Sequence, residues 1–230
     1  MEDSTKNKEF WQGLWKDNLN FWHKAEKHPD LFNNFDKLTL DESNYDKTIL
    51  FPLCGKTIDM AYCIQERKMN VIGIELVEQC IKEFFSENEL MSYNVNEVKD
   101  AQIYEYVQDN TNLKIIKGDL FNTPELVTDG KVQLADFCFD RGALTAMNPE
   151  LRKKYVNTIM KLLKPRAKIL LNCFYYDLKY QNGPPHSVSE DNVRELYEPL
   201  GCKVTVISCY EQTFKQVTPA LYKLYLVERE

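Results

Sequence analysis

The sequence predicts an α/β fold: a seven-stranded, doubly wound, mostly parallel sheet with helices on both faces and a helical cover at the N-terminus. Short apolar runs alternate with longer segments of helical period, which is typical of a sheet covered on both faces. The last two apolar runs follow each other without a helix between them, which favours an antiparallel pair at a sheet edge. A chain of 230 residues suits one well-packed domain. We therefore expect a single domain over residues 1–230, with the cover in residues 1–45 and the sheet core in residues 46–230.

Composition and charge narrow the classes of function. The formal net charge of −6 argues against a nucleic-acid partner, because nonspecific affinity for phosphate backbones comes from clustered lysine and arginine. No apolar run approaches the roughly 18 residues needed to span a bilayer, and the N-terminus lacks the apolar core of a signal peptide. The seven cysteines form no CxxC pair and the three histidines lie far apart, so we expect reduced thiols and no metal site. We expect a cytoplasmic monomer without a membrane partner.

The first elements of the sheet form a βαβ unit of ordinary length. Residues 48–53 (TILFPL) predict the first strand, residues 58–68 a helix, and residues 71–75 (VIGIE) the second strand. A further helix is predicted at residues 77–88, because apolar side chains recur there on one face.

The next segment departs from plain alternation. Residues 101–107 (AQIYEYV) and 113–119 (LKIIKGD) flank the turn-like QDNTN, which predicts a hairpin that leads into the third strand of the sheet. The remaining predicted elements are strands at residues 132–140, 167–176, 203–208 and 221–227, and helices at residues 149–163 and 189–199.

The segment before the sheet, residues 10–32, holds all three tryptophans of the chain. Trp11 and Trp15 are four residues apart and share a helix face, and Trp22 follows two turns later. One interpretation is a helix that packs its aromatic face on the domain, because such stripes usually belong to a core. The other is a lid whose rings close over a flat ligand, because aromatic faces bury large areas and stack.

The run ILFPLCGKTIDM, residues 49–60, ends its strand with the letters GKT of a phosphate-binding loop. That loop requires a glycine five residues before Gly55, and the chain has Leu50 there. Pro52 lacks the N–H that a phosphate cradle needs. The sequence therefore does not predict a triphosphate site, and Lys56 and Thr57 most simply begin a helix.

A turn that holds a nucleoside is a better match for this run. It needs a glycine close to the ligand and, about twenty residues later, an acid that accepts bonds from ribose hydroxyls. Gly55 and Glu75 have this separation. The absence of a full GxGxxG favours a ligand smaller than a dinucleotide, such as S-adenosylmethionine. Asp119 and Asp140 end the next predicted parallel strands, and the carboxyl ends of such strands are where ligands bind.

Several stretches resemble the thiopurine S-methyltransferase family over nearly the whole chain. They are FPLCGKTIDM, VIGIELVEQCIKEFF, FDRGALTAMNP, GPP at residues 183–185, and the spacing W-x3-W-x6-W-H of the tryptophan-rich segment. The resemblance implies a Rossmann-like methyltransferase fold with S-adenosylmethionine as cofactor. It also implies S-methylation of small aromatic or heterocyclic thiols.

The resemblance also implies which residues of this chain form the site. The implied cofactor-binding residues are Trp11, Gln12, Trp15, Trp22, Leu53, Gly55, Glu75, Asp119, Leu120 and Arg141. Among them Leu53 is expected beside the sulfonium, Glu75 at the ribose, and Asp119 with Leu120 at the adenine. The implied substrate-binding residues are Trp22, Arg141 and Pro184.

A sulfur acceptor is nucleophilic as its thiolate. Because an aromatic thiol should be appreciably ionised near neutral pH, the chemistry demands no dedicated base. Asp140, through water, and Arg141, by stabilising the thiolate, are the candidates for a catalytic role.

The chain departs from the family's more familiar members in ways that concern the acceptor. Asp119 stands where they have serine, and His186 follows GPP where they have phenylalanine. The segment 210–220 is shorter than its counterpart and has no arginine to contact a substrate. Two alternatives therefore stay open. One is a relative that methylates another small acceptor, such as an inorganic chalcogen, a halide or a simple thiol; the other is a cofactor-binding protein without turnover.

Overall fold

Nine strands form one mixed sheet, counted over residues 2–39, 46–179, 183–214 and 217–229, which the computed structural model describes. The strands are β1 (Thr48–Pro52), β2 (Asn70–Glu75), β3 (Asn94–Val98), β4 (Ala101–Gln108), β5 (Thr111–Lys117), β6 (Ala135–Arg141), β7 (Leu163–Tyr175), β8 (Cys202–Phe214) and β9 (Val217–Arg229). Their order across the sheet is β3-β4-β5-β2-β1-β6-β7-β9-β8. The five central strands, from β5 to β7, pair in parallel.

The α/β class is confirmed, but the predicted number of seven strands is wrong. The expected seven strands are β5, β2, β1, β6, β7, β9 and β8. The sheet extends beyond β5 by two more strands, β4 and β3. The hairpin of β4 and β5 follows the prediction. β3 was missed because its sequence, NVNEV, is mostly polar and mostly exposed, so it carries no apolar run. At the other edge β8 and β9 pair antiparallel, as expected, and β9 also pairs antiparallel with β7.

Helices cover both faces of the sheet. They are α1 (Glu2–Lys16), α2 (Pro29–Thr39), α3 (Ile58–Gln65), α4 (Glu78–Glu87), α5 (Thr123–Thr128), α6 (Ala143–Ala146), α7 (Arg152–Leu162) and α8 (Glu190–Tyr197). One buried cluster joins α7 and α8 to the sheet, and a second joins α2, α3 and α4 to the opposite face. The predicted helix at residues 149–163 begins as a 3-10 turn, Pro149–Leu151, before α7.

The N-terminal segment differs from the expected single helix. α1 ends at Lys16, so Trp22 lies in a non-helical connection rather than two turns farther along the helix. Trp15 is buried against Val77 and Cys80 at the start of α4, and Trp11 and Trp22 pack beside this cluster. Residues 40–45, at the end of the expected cover, lie outside the described residues.

Candidate functional site

A cavity opens where β1 and β6 end, at the carboxyl edge of the parallel strands. It encloses about 440 Å³, including the part that is open to solvent. Its floor comes from the turn after β1, with Leu53 and Gly55, and Arg141 lines it from the end of β6. Trp15 and Trp22 of the N-terminal segment line it from above. This edge is where ligands bind in open α/β sheets.

The turn after β1 has an unusual backbone. Leu53 has a φ of 47° and Gly55 a φ of 54°. For a bulky residue such as leucine this left-handed conformation costs roughly 1–3 kcal/mol, and such residues concentrate at functional sites. Thr57 then caps α3 by accepting a hydrogen bond from the Asp59 N–H at 3.4 Å. The chain thus turns within four residues and presents its backbone to the cavity.

Glu75, at the end of β2, is held by three backbone N–H groups. Its Oε2 accepts from Gly55 at 2.8 Å, and its Oε1 accepts from Leu76 at 2.7 Å and from Val77 at 2.8 Å. Burial raises the pKa of this carboxyl, and the three hydrogen bonds oppose that rise. Two carboxylate oxygens offer about four acceptor positions. The Gly55 and Glu75 pair predicted from spacing is therefore a direct contact, with acceptor capacity left for a ligand hydroxyl.

The tryptophan rings lie directly over this turn. A Cβ on Gly55 would come within 3.0 Å of Cζ2 of Trp15, so only glycine leaves room for the indole. The ring centres of Trp15 and Trp22 are 5.7 Å apart and those of Trp11 and Trp22 5.5 Å, both nearly perpendicular. Such edge-to-face pairs are favourable aromatic contacts. The three tryptophans form one cluster at the cavity, although only the first two share a helix.

Lys56 of the GKT letters points to α4 rather than toward a bound phosphate. Its Nζ lies 2.8 Å from Glu83 and 2.6 Å from Glu87. These two carboxylates neutralise the charge that a phosphate loop would use. With Thr57 as a helix cap, the structure agrees with the interpretation that these residues only begin a helix.

Arg141 joins the sheet to the N-terminal segment. Its Nη2 donates a hydrogen bond of 2.6 Å to the carbonyl oxygen of Trp22. Burial lowers the pKa of the guanidinium, while the nearby Asp59 and Asp30 favour its charged form. Arginine remains a cation under such conditions. The cavity therefore has a fixed positive charge beside the β1 turn.

Asp140, the neighbour of Arg141, lies in the core instead of at the cavity. Its side chain is 0% exposed. It accepts hydrogen bonds from the Tyr155 hydroxyl at 2.7 Å and from the Leu144 N–H at 3.2 Å. Burial raises the pKa of the Asp140 carboxyl to about 6, against the effect of these bonds. Because side chains alternate along a strand, Asp140 and Arg141 face opposite sides of the sheet.

The predicted adenine-side residues follow β5 at the same edge of the sheet. The Gly118 N–H donates to the carbonyl of Glu75 at 3.0 Å, which places Asp119 next to the end of β2. Asp119 accepts a hydrogen bond from the Phe121 N–H at 3.0 Å, and Leu120 is buried in the core.

The other predicted residues are less close to the cavity. Gln12 is exposed on α1. Pro184 precedes Pro185 through a cis peptide bond, in a segment whose His186 N–H donates to Thr145 at 2.6 Å. The segment 210–220 is not a loop, because β8 and β9 pair through it as a hairpin; residues 215 and 216 lie outside the described residues.

Sequence reasoning missed a group of polar residues beneath Arg141. Asp59 accepts from the His28 N–H at 2.7 Å and from the Thr57 hydroxyl at 2.7 Å, and Asn172 donates to Asp30. Burial lowers the pKa of His28 to about 4, so this imidazole is neutral near neutral pH. The acid in GKTIDM carried little signal, because an acid in the first turn of a helix is common.

Among the described residues, no three His, Cys, Asp or Glu side chains are grouped to bind a metal. Within the same residues, every helix is too short or too polar to cross a membrane.

The chain matches known proteins over most of its length. The model of the family described as thiopurine S-methyltransferase matches residues 6–222. The chain is 34% identical over 193 residues to a thiopurine S-methyltransferase of Legionella pneumophila (strain Philadelphia 1), covering 84% of this chain and 81% of the relative. It is 31% identical over 200 residues to one of Photobacterium profundum, covering 87% and 85%.

Solved structures agree at the level of the fold. A Burkholderia thailandensis 1,6-didemethyltoxoflavin-N1-methyltransferase, solved with S-adenosylhomocysteine, covers 100% of this chain and 90% of its own at a TM-score of 0.60 and 13% identity. A methyltransferase of Methanosarcina mazei covers 89% and 99% at a TM-score of 0.58 and 14% identity. The family match over residues 6–222 and the relatives of 31–34% identity show that the chain belongs to the thiopurine S-methyltransferase family, methyltransferases whose cofactor is S-adenosylmethionine.

Proposed function

We propose that this protein transfers a methyl group from S-adenosylmethionine to the sulfur of small aromatic or heterocyclic thiols. The observation that carries the proposal is the fixed charge of Arg141 at a cavity built from the β1 turn and the tryptophan cluster. A cation there favours an anionic acceptor such as a thiolate. The family membership of the chain supports the same class of reaction.

The residues at the β1 turn suit the cofactor. Gly55 keeps the backbone free of a side chain under Trp15, and Glu75 keeps acceptor capacity for a ribose hydroxyl. Leu53 would lie at the sulfonium end, and Asp119 with Leu120 at the adenine. When bound, the cofactor supplies an electrophilic methyl group on a positively charged sulfur.

This chain's residues then have three tasks: alignment, exclusion of water and charge stabilisation. Alignment of donor and acceptor supplies about 7–11 kcal/mol in favourable cases. Trp15 and Trp22 cover the turn and keep water away from the methyl group, while Arg141 stabilises the thiolate. No general base is required, because an aromatic thiol is already partly ionised near neutral pH.

Asp140 fits a positioning role better than a catalytic one. Its carboxylate ties the end of β6 to α6 and α7 through Leu144 and Tyr155. Arg141 follows directly, so the anchored carboxylate fixes the backbone from which the guanidinium reaches the cavity. Pro184 remains a proposed contact for the substrate, together with the segment that follows it.

Two measurements in sequence test this function. Isothermal titration with S-adenosylhomocysteine should show binding, and a methyl-transfer assay should then show turnover of thiophenol and 6-mercaptopurine. A panel with 2-mercaptoethanol, selenite and iodide covers the other acceptor classes. Tight binding of S-adenosylhomocysteine without turnover of any thiol would contradict the proposal, and turnover of selenite or iodide alone would redirect it.

The tryptophan-rich segment is proposed as a cover over the cofactor. Deletion of residues 1–24 removes Trp11, Trp15 and Trp22 together with the Arg141 partner. S-adenosylhomocysteine should then bind more weakly, although the sheet is intact by circular dichroism. Unchanged affinity in the deletion variant would show that the segment is only a structural helix.

A further inference from the structure

A row of aromatic side chains continues the site across the sheet, on the far side of Arg141 from the β1 turn. Phe174 of β7 pairs in register with Tyr222 of β9, and Tyr222 pairs with Tyr210 of β8. The ring centres of Phe174 and Tyr222 are 5.2 Å apart, and those of Tyr210 and Tyr222 are 5.5 Å apart at an angle of only 10°. The three rings form one continuous wall on a single face of the sheet.

The register ties this wall to Arg141. Arg141 pairs with Asn172 of β7, which pairs with Leu224 of β9. The row of Phe174 and Tyr222 is therefore two residues nearer to the carboxyl edge, on the same face as Asn172. β6, which carries Arg141, lies between β1 on one side and β7, β9 and β8 on the other. A molecule beside Arg141 has the cofactor turn on one side and the aromatic wall on the other.

The positive charge of Arg141 acts on the two tyrosines of the wall. Burial raises the pKa of Tyr222, and the positive charge of Arg141 opposes that rise. Burial, Asp30 and Tyr222 raise the pKa of Tyr210 to about 12, again against Arg141. Both phenols are therefore neutral near neutral pH, and both lie within the electrostatic range of the guanidinium. The wall offers flat, uncharged ring faces next to a cation.

The three rings of the wall differ in their exposure to solvent. Phe174 is only 7% exposed and forms its base, Tyr222 is half-buried, and Tyr210 is 39% exposed. Cross-strand aromatic pairs also stabilise hairpins. A purely structural pair, however, does not require a place beside Arg141 at the carboxyl edge of the sheet. The rim of the wall thus has ring surface available for a ligand.

We propose that Tyr222 and Tyr210 form the acceptor-binding wall, against which the flat ring of the methyl acceptor packs while its sulfur faces Arg141. This inference rests on the proposed function, because it assigns the acceptor half of that site. Aromatic packing of this kind contributes about twofold to tenfold in affinity beyond the area buried. The wall would thereby favour aromatic over aliphatic thiols.

The test uses Tyr222→Leu and Tyr210→Leu, which remove the rings, and Tyr222→Phe, which keeps one. Tyr175→Leu is the matched control, because Tyr175 lies on β7 beside Phe174, is 49% exposed and points to the opposite face. The KM for thiophenol should rise about twofold to tenfold in both ring-removing variants. In Tyr222→Phe and Tyr175→Leu it should stay near the wild-type value. The affinity for S-adenosylhomocysteine should be unchanged throughout, which confines the effect to the acceptor.

A binding measurement separates this inference from the proposed function. 6-mercaptopurine is titrated into the complex of each variant with S-adenosylhomocysteine. If the wild-type complex binds 6-mercaptopurine but no methyl group is transferred, the proposed function is contradicted. The wall is then tested by the Kd values of the same variants in this titration. An unchanged KM and Kd in both Tyr222→Leu and Tyr210→Leu would overturn the wall. So would the absence of 6-mercaptopurine binding to the wild-type complex. If Tyr222→Leu fails to fold, the more exposed Tyr210→Leu alone decides.

Discussion

Nη2 of Arg141 donates a 2.6 Å hydrogen bond to the carbonyl oxygen of Trp22, a residue 119 positions earlier in the chain. This bond connects the end of β6 to the non-helical connection after α1. A hydrogen bond from a charged donor is stronger than a neutral one. The position of the tryptophan cluster and the position of the cavity's positive charge therefore depend on each other.

Arg141→Lys should weaken cofactor binding and loosen the N-terminal segment together. Lysine keeps the charge but replaces the planar fork with a single ammonium group. Loss of one charged hydrogen bond costs roughly 1.5–3 kcal/mol, or about tenfold to a hundredfold in affinity. Isothermal titration with S-adenosylhomocysteine measures the first effect, and the rate of tryptic cleavage after the exposed Lys24 measures the second.

Arg166→Lys is the control for this prediction, because Arg166 is exposed between α7 and the later part of β7. It should leave both measurements at their wild-type values. If Arg141→Lys lowered the affinity without faster cleavage after Lys24, the bond to Trp22 would not hold the segment in place.

Gly55→Ala should destabilise the protein more than Gly130→Ala does. Both glycines have a positive φ, of 54° and 68°, so both variants bear the strain of a left-handed alanine, about 1–2 kcal/mol. Only at Gly55 would the new Cβ come within 3.0 Å of Trp15; around Gly130 nothing lies within 4 Å. Overpacking adds roughly 1–3 kcal/mol.

The difference between these two variants is measured by urea unfolding, and the affinity for S-adenosylhomocysteine by titration. Only Gly55→Ala should lower that affinity, because only it displaces Trp15 from the turn. Equal losses of stability in the two variants would mean that Trp15 moves away freely and does not pack tightly on Gly55.

The sheet core could be predicted from the sequence because its strands are apolar runs separated by segments of helical period. The spacing of Gly55 and Glu75 could be recognised as that of a nucleoside-binding turn, whereas the direct contact between them is known only from the structure. β3 could not be predicted, since an exposed polar strand has no hydrophobic period. The position of Trp22 depends on where α1 ends. The signal available for that end was Asn18, which has a φ of 55° two residues after Lys16, because asparagine can replace glycine in this position.

Sequence-based prediction has the same limit for the proposed acceptor-binding wall. Tyr210 and Tyr222 meet only because β8 and β9 pair in one register, which is set over the whole hairpin. Polar partners such as His28 and Asp59 are likewise brought together by tertiary packing, 31 residues apart in sequence. Local patterns predict elements and turns, whereas contacts between distant elements require the register of the folded sheet.

Glu75→Gln should cost stability and cofactor affinity at once. Glutamine offers one acceptor oxygen and one NH2 group, so a donor would face a backbone N–H of Gly55, Leu76 or Val77. A buried donor left without a partner costs about 1–3 kcal/mol. Urea unfolding measures this loss, with the exposed Glu89→Gln as control.

The proposed contact of Glu75 with the ribose has its own readout. The wild type should bind S-adenosylhomocysteine more tightly than its 2′,3′-dideoxy analogue, and Glu75→Gln should reduce that preference. Should the variant keep the full preference for the hydroxyl groups, the ribose would be held by another residue.

The buried carboxyl of Asp140 should make stability depend on pH in a defined direction. Its pKa rises from 3.8 to about 6 on folding, because burial penalises the charged form. A group whose pKa is raised on folding contributes its stability fully below the unfolded pKa. That contribution is lost as the pH rises through the folded pKa. For Asp140 most of the loss occurs between about pH 4 and pH 6.5.

Asp140→Asn should remove this dependence, because the amide does not titrate. With a folded pKa of about 6, the wild type should lose roughly 1.4 kcal/mol from this group between about pH 5 and pH 7.5, and the variant should not. The variant also loses an acceptor for Tyr155 or Leu144. This lowers its free energy of unfolding by an amount that does not change with pH. Urea unfolding across this range, with the exposed Asp129→Asn as control, measures the difference. Parallel curves for Asp140→Asn and the wild type would mean that the Asp140 carboxyl keeps an ordinary pKa in the folded protein.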